Sequence, residues 1–418
     1  MAHIGVFTAT ALGHMYPSST LALELKKRGH RVTFFAIPDA LDFYESLGLE
    51  VVVVGREAYP IGYMNRMYAK LATLKGKAGL KFTIGLLEES VGMTFADLPR
   101  ALESNRVNAL VIDQLMFPGS TVAEFLKIPY VHLANALLFN GESGVPPISF
   151  GWRYDTGSFA RVRNTLGYIA VGRIFASIRK MINTQRREWG LPPYTHFPDD
   201  LYAGYPQISQ LPPSLEYPRK RLPADFHFVG PLHDLTKRPH TDFPWEKLDG
   251  RPILYASMGT LMNQLESVFR IILEASETLH AQLVLTLGGN LDPGSFSGAQ
   301  GNPVIVKYAP QLEVLKRASL CITAAGLNTM NEALANGVPL VAIPITNDQP
   351  AAAARIEWSG VGKSIPIKRL TVTRLRAALE LVLADPSYRE NARRLQKEIA
   401  GLNALERASE VVESVLPQ

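Results

Sequence analysis

The chain has 418 residues, 47% of them hydrophobic and 19% charged, with a formal net charge of +5. That length allows two or three domains, and the composition suits a soluble chain with a sizeable core and no long disordered tail. The positive excess is one block: residues 151–190 hold Arg153, Arg161, Arg163, Arg173, Arg179, Lys180, Arg186 and Arg187 against only Asp155 and Glu188, and a lone basic block without a recognition module does not point to nucleic acid.

The N-terminus enters an apolar strand at once, His3 to Phe7, with no basic leader before a longer apolar run, so no signal peptide is expected. A turn with Gly13 and His14 follows, ahead of a helix begun around Pro17 and closed by Gly29 in the position of a helix C-cap. Residues 32–35, 51–54, 109–112 and 128–133 are short apolar runs, the pattern of strands buried on both faces. Asp113 ends the third of these, so it and His14 are placed at the same edge of one parallel sheet. A histidine oriented by a carboxylate is a common way to make a base near neutral pH. A turn-stabilising His14 and a capping Asp113 are the plainer alternatives.

Residues 158–183 carry Tyr168, Val171, Phe175, Ile178 and Ile182 at helical spacing with arginines between. Two readings stay open: a core-facing stripe with a solvated basic face, or a basic amphipathic surface that meets anionic lipid. Aromatics and methionines in 59–82 and 139–150 are candidates to line a pocket. The proline-rich stretch 210–223 reads as a crossing between domains.

The second half restarts the alternation, with strands at 253–256, 283–287, 304–306, 320–322 and 340–343 and a helix at 268–279. Repeated strand–helix alternation implies parallel sheets covered by helices, here two Rossmann-like domains facing one cleft. The expected divisions are 1–212, a connection over 213–250, 251–395, and a final helical stretch, 396–418, packing back on the first domain. Cys321, the one cysteine, reads as a small buried hydrophobe and favours a reducing, cytoplasmic setting. No apolar run is long enough for a transmembrane helix.

Two strand-to-helix turns in this half suit an anion: Ser257, Gly259 and Thr260, and the stretch Ala324 to Thr329, in which Gly326 lets a phosphate approach the backbone and Asn328 and Thr329 add donors. Tyr308-Ala309-Pro310-Gln311, then Ala325 to Leu334 with Glu332, then Gly337-Val338-Pro339, then Asp348-Gln349 form an ordered set. That set resembles the donor signature of inverting UDP-dependent glycosyltransferases of GT-B fold. Residues 13–17 and 343–349 look most like the bacterial zeaxanthin (carotenoid) glucosyltransferase branch.

The resemblance implies roles. Tyr308 would stack on the uracil, Ala309 would bond the base through its backbone, and Gln311 and Glu332 would reach the ribose. Asn328 and Thr329 would hold the phosphates, and Asp348 and Gln349 the sugar hydroxyls. His14 and Asp113 would form the catalytic dyad. The first domain would take the acceptor and the second the UDP-sugar. Transfer would proceed with inversion and without a metal or other cofactor; no metal-ligand spacing appears. The implied acceptor is a lipophilic hydroxylated molecule such as a carotenoid, with glucose from UDP-glucose. A peripheral membrane contact through 151–190 would suit that acceptor.

One position departs from the pattern. The family usually has histidine where Ala324 stands, and an alanine cannot donate to the departing diphosphate, so weakened activity is expected. A catalytically weak or inactive nucleotide-sugar binder is therefore the alternative, and an epimerase on the same architecture a further one. His14 and Asp113 argue against a pure binder; the blocks at 308–311 and 348–349 favour transfer over epimerisation.

Overall fold

The computed structural model describes all residues except 75, 203, 234–240, 260–265, 289–290 and 418. Two parallel sheets carry the chain, of seven and six strands, each flanked by helices.

The first half runs β1 (His3–Phe7), α1 (Leu12–Lys27), β2 (Arg31–Ala36), α2 (Leu41–Ser46), β3 (Glu50–Val53), α3 (Tyr63–Thr73), α4 (Gly76–Asn105), β4 (Ala109–Asp113), α5 (Gly119–Leu126), β5 (Tyr130–Ala134), α6 (Ser158–Ile174), α7 (Ala176–Glu188), β6 (Gln207–Ser209) and β7 (Phe226–Phe228). Its strand order is β3-β2-β1-β4-β5-β6-β7, parallel throughout. Strands β1, β4 and β5 are buried at every position, which is why they read as unbroken apolar runs. β7 lies within the stretch expected to be only a connection, yet it completes the first sheet beside β6.

The second half runs β8 (Ile253–Ser257), α8 (Glu266–Ser276), β9 (Gln282–Thr286), β10 (Val304–Val306), α9 (Gln311–Leu315), β11 (Ala318–Thr323), α10 (Leu327–Ala335), β12 (Leu340–Ala342), α11 (Gln349–Trp358), β13 (Gly362–Ser364), α12 (Val372–Ala384), α13 (Pro386–Gly401) and α14 (Ala404–Ser414). Its order is β10-β9-β8-β11-β12-β13. Both halves are therefore Rossmann-like.

The final helical stretch is two helices rather than one. Asn403 takes a left-handed φ of 49° between α13 and α14, a conformation that breaks a helix and that asparagine tolerates. α13 packs on α10 of the second half. Beyond the break, α14 joins the core of the first half through Ala408, Val411 and Val412, and Glu413 pairs with Arg28 at 3.1 Å and His30 at 3.2 Å.

In a parallel sheet the loops after the strands gather at one edge. Asp113 is the last residue of β4, Ser257 of β8 and Thr323 of β11. The candidate residues therefore collect where the two sheets' carboxyl ends meet.

Candidate functional site

The turn after β1 leads into α1, whose N-terminus has no side-chain cap, and His14 sits in its first turn. His14 Nδ1 lies 2.7 Å from Asp113 Oδ2, with the imidazole 14% exposed and the carboxylate buried. The carboxylate is held from three further directions: Thr8 Oγ1 donates at 2.9 Å, Asn135 Nδ2 at 2.7 Å and the Leu115 amide at 2.9 Å. A carboxylate only accepts, so Nδ1 carries the hydrogen and Nε2 of the neutral ring is left as the basic nitrogen. Burial by itself would lower the His14 pKa, but the charge and hydrogen bond of Asp113, with a smaller contribution from Asp348, raise it above the ordinary 6.5. Burial would likewise raise Asp113; His14 and the surrounding donors outweigh it and hold the carboxyl below its ordinary value.

Asn135, Gln210 and Thr8 were not singled out by the sequence. Gln210 Nε2 donates to Asn135 Oδ1 at 2.7 Å, its own Oε1 accepts from the Leu232 amide at 3.1 Å, and its carbonyl accepts from Asn331 Nδ2 at 3.0 Å. One residue, through its side chain and its carbonyl, thus ties the support of Asp113 to α10. The signals were an asparagine directly after a buried strand and a glutamine opening the proline-rich crossing.

On the opposite wall, Gly326 precedes α10 and no side chain caps the helix. Its first N–H groups are unsatisfied by the helix itself, which suits a phosphate. Ala325 adopts a φ of 65°, costly for a residue with a Cβ and the kind of strain that gathers at functional turns. Asn328 Nδ2 donates to the Gly13 carbonyl at 2.7 Å, across the cleft. Gln311 Nε2 donates to Glu332 Oε2 at 2.6 Å and lies 3.5 Å from Thr329 Oγ1, while Tyr255 donates to Gln311 Oε1 at 2.9 Å. Gln311, Thr329 and Glu332 are therefore gathered in one polar patch. Tyr308 is 52% exposed, an open aromatic face beside the half-buried Ala309.

Asp348 Oδ2 accepts from the Leu137 amide at 3.2 Å, again across the cleft, and burial raises its pKa. Gln349 Oε1 accepts from the Ile345 and Thr346 amides at 2.9 and 3.0 Å, so its carbonyl braces the turn. Ser257 closes β8 and is half-buried, and Gly259 has a φ of 79°, a conformation that favours glycine. Thr260 lies outside the described residues. Ala324 is buried in an apolar cluster that includes Met258 and Leu287.

The apolar set of 158–183 faces inward: Val171, Ile178 and Ile182 are buried, and Tyr168 donates to the Val145 carbonyl at 3.1 Å. Arg186 of the basic block is buried too, paired with Glu124 at 2.8 Å and stacked on Tyr194. No helix among the described residues is long and apolar enough to cross a membrane. A cavity of about 450 Å³ between Asn140, Asp199, Arg221 and Asp225 lies at the amino ends of β6 and β7, away from this cleft.

A family model described as UDP-glucoronosyl and UDP-glucosyl transferase matches residues 90–415. The zeaxanthin glucosyltransferase of Pantoea ananas is 29% identical over all of this chain and 96% of its own length. The 4'-demethylrebeccamycin synthase of Lentzea aerocolonigenes is 28% identical over 99% of this chain and all of its own. The solved glycotransferase of kitacinnamycin superposes with a TM-score of 0.77 at 24% identity, covering 100% of this chain and 99% of that one.

Proposed function

Because the chain belongs to the UDP-glucoronosyl and UDP-glucosyl transferase family, and is thereby a glycosyltransferase of GT-B fold, we propose that it moves glucose from UDP-glucose onto a hydroxyl of a lipophilic acceptor such as a carotenoid, with inversion. The observation that carries the chemistry is the 2.7 Å His14–Asp113 pair one residue from the Gly13 carbonyl that Asn328 reaches. Base and donor turn share one small space.

In the proposed step the acceptor oxygen attacks the anomeric carbon as its proton passes to His14 Nε2. The bond from that carbon to the diphosphate oxygen breaks, and UDP leaves with the electron pair. Asp113 holds the ring and balances the imidazolium. The free N–H groups of α10, Asn328 and Thr329 stabilise the departing charge. Gln311 and Glu332 take the ribose hydroxyls, Tyr308 and Ala309 the base, Asp348 and Gln349 the sugar; Ser257 and Gly259 flank the diphosphate. A single displacement converts an α-linked donor to a β-glycoside.

The acceptor rests on the likeness to the Pantoea ananas enzyme, whose name specifies zeaxanthin. A carotenoid is carried in lipid, and the same reading gives residues 151–190 a peripheral membrane contact on the cytoplasmic face.

The test is a donor and acceptor screen read by mass spectrometry, with the anomeric configuration of the product read by NMR. UDP-glucose with a detergent-dispersed hydroxylated carotenoid is expected to give a β-glucoside, lost in His14→Ala. Product from UDP-glucose with none from other donors supports the sugar; an α-glycoside overturns inversion, and no product with any pair leaves the weak nucleotide-sugar binder that Ala324 suggests. Ala324→His run alongside is expected to raise turnover; an unchanged rate in a folded variant means the alanine does not limit the reaction.

A further inference from the structure

α6 has two faces of opposite kind. Ala160, Asn164, Gly167 and Val171 are buried, recurring at helical spacing. Phe159, Val162, Leu166 and Ile169 follow the same period on the other side, and all four are exposed, Phe159 by 82% and Leu166 by 61%. Residues spaced three and four apart share a helix face, so these four form one apolar ridge about 15 Å long at 1.5 Å per residue. Scattered exposed apolar residues are ordinary; four in line on one helix are not.

The charge around the ridge is mostly positive. α6 contains no acidic residue. Arg161 and Arg173 are exposed on the helix, and Arg153, Arg179 and Lys180 are exposed just beyond its ends. Arg163 is half-buried, stacked on Trp152 and donating to the Arg153 carbonyl at 3.0 Å. The only exposed acids in the block are Asp155 and Glu188.

We propose that the outward ridge of α6 inserts into the surface of an anionic bilayer, with the surrounding arginines on the lipid phosphates. The apolar side chains match the acyl boundary and the cations match the headgroups, the pairing that holds interfacial helices. A protein partner would not require cations at both ends of the ridge.

The inner face gives the position a purpose. Asn164 Nδ2 donates to the Ser143 carbonyl at 2.9 Å and Tyr168 to the Val145 carbonyl at 3.1 Å. A Cβ on Gly167 would meet Trp152 at 2.8 Å and Pro147 at 3.0 Å, so the helix lies directly on this loop. The loop then reaches Gly151, where a Cβ would meet Pro350 at 3.0 Å, next to Gln349 and Asp348. The bilayer face is thus one helix and one loop away from the sugar turn. That an acceptor enters by this route rests on the lipophilic acceptor proposed above; the surface itself does not.

The experiment is co-sedimentation of the full chain with vesicles of phosphatidylcholine and phosphatidylglycerol in equal parts, against phosphatidylcholine alone. Wild type is expected to partition to the anionic vesicles, and Val162→Glu/Leu166→Glu to lose at least ~10-fold of that partition. Arg161→Gln/Arg173→Gln is expected to bind more weakly and with less dependence on salt. Transfer to a water-soluble phenol is measured on the same proteins and should match wild type, which also shows that the exposed substitutions leave the fold intact. No vesicle binding by wild type, or equal binding by the glutamate variant, overturns the proposal. So does a wild-type dimer in solution that the glutamates dissociate, because a second copy then covers the ridge. Vesicle binding without carotenoid transfer would leave the surface standing and remove the acceptor.

Discussion

Asn328 Nδ2 donates to the Gly13 carbonyl at 2.7 Å, so the helix end suited to a diphosphate touches the turn that carries His14, the proposed base. The Leu137 amide and Asp348 Oδ2 make a second such bond at 3.2 Å. Both use groups proposed to hold the donor, which would exchange these contacts for its own as it enters.

Removing the Asn328 amide should therefore cost more with donor than without. A hydrogen bond to a charged partner is worth ~1.5–3 kcal/mol, so Asn328→Ala is expected to lower kcat/KM for the UDP-sugar by roughly 10- to 100-fold. Asn328→Asp should fall further, because it sets a carboxylate against the diphosphate. Calorimetric titration with UDP checks the assignment: wild-type affinity in the alanine variant would take Asn328 off the phosphates.

The dyad predicts opposite pH trends for rate and stability. His14 must be neutral to accept a proton, and its pKa is raised, so the rate should climb with pH to a midpoint above 6.5. A raised histidine pKa stabilises the fold fully below 6.5, and that contribution is lost as pH rises through the folded value. Activity should thus increase across the window in which denaturation midpoints soften. Asp113→Asn removes the charge but keeps the burial, so the rate midpoint should move down while kcat drops by ~10²–10⁴-fold. A midpoint unmoved by this substitution would mean that another group titrates.

Gln210 is expected to act on that same midpoint without touching substrate. Gln210→Glu keeps the size but adds a negative charge next to Asn135, the neighbour of Asp113, and should push the midpoint further up. Gln210→Leu leaves Asn135 Oδ1 and the Leu232 amide without this partner, at ~1–3 kcal/mol for each buried group. It should lower kcat about tenfold, the order of one lost hydrogen bond, with the donor KM little changed. A pH profile of Gln210→Glu identical to wild type would reduce the residue to a structural brace.

The contrast between His14 and Gln210 shows what a sequence discloses. Strands such as β4 and β8 are buried on both faces, so they announce themselves as apolar runs, and Asp113 could be placed at a sheet edge by counting to the end of one. β10 and β12 have three residues each and still read as strands because all three are apolar; β6, β7 and β13 are equally short but carry Gln207 and Ser209, His227, and Lys363 and Ser364, which break the apolar run. Asn135 and Gln210 meet across 75 residues of chain, and that pairing is a property of the fold alone. The α6 ridge is masked in the sequence because Tyr168 to Ile182 also runs at helical spacing, through two successive helices, and that series is the one that packs inward. The break at Asn403 was readable in principle, since Gly401 and Asn403 are poor helix formers.

The turn proposed to hold the sugar is anchored from behind by a buried charge cluster. α11 starts at Gln349, and two turns on Arg355 is fully buried, donating to Glu216 Oε1 at 2.7 Å and lying over Tyr217 at 4.3 Å. Arg219 also reaches Glu216 Oε1, at 3.2 Å, and donates to the Asn140 carbonyl at 2.7 Å. The cluster holds two guanidinium groups and one carboxylate. Arg355→Leu leaves a neutral pair, whereas Glu216→Leu leaves two buried cations facing each other. Breaking a buried pair by removing one partner costs ~3–5 kcal/mol, and Glu216→Leu should sit at or beyond that range with Arg355→Leu well short of it. Burial would raise the Glu216 pKa, but the two arginines hold it below the ordinary 4.5. Its contribution is therefore present above pH 4.5 and lost as pH falls through the lower, folded value. Urea denaturation followed by circular dichroism at neutral and acid pH measures both effects. Arg355→Leu should also raise the donor KM, because it frees the helix that carries Asp348 and Gln349 at its start. Greater damage from Arg355→Leu than from Glu216→Leu would show that packing on Tyr217, rather than charge balance, holds α11 in place.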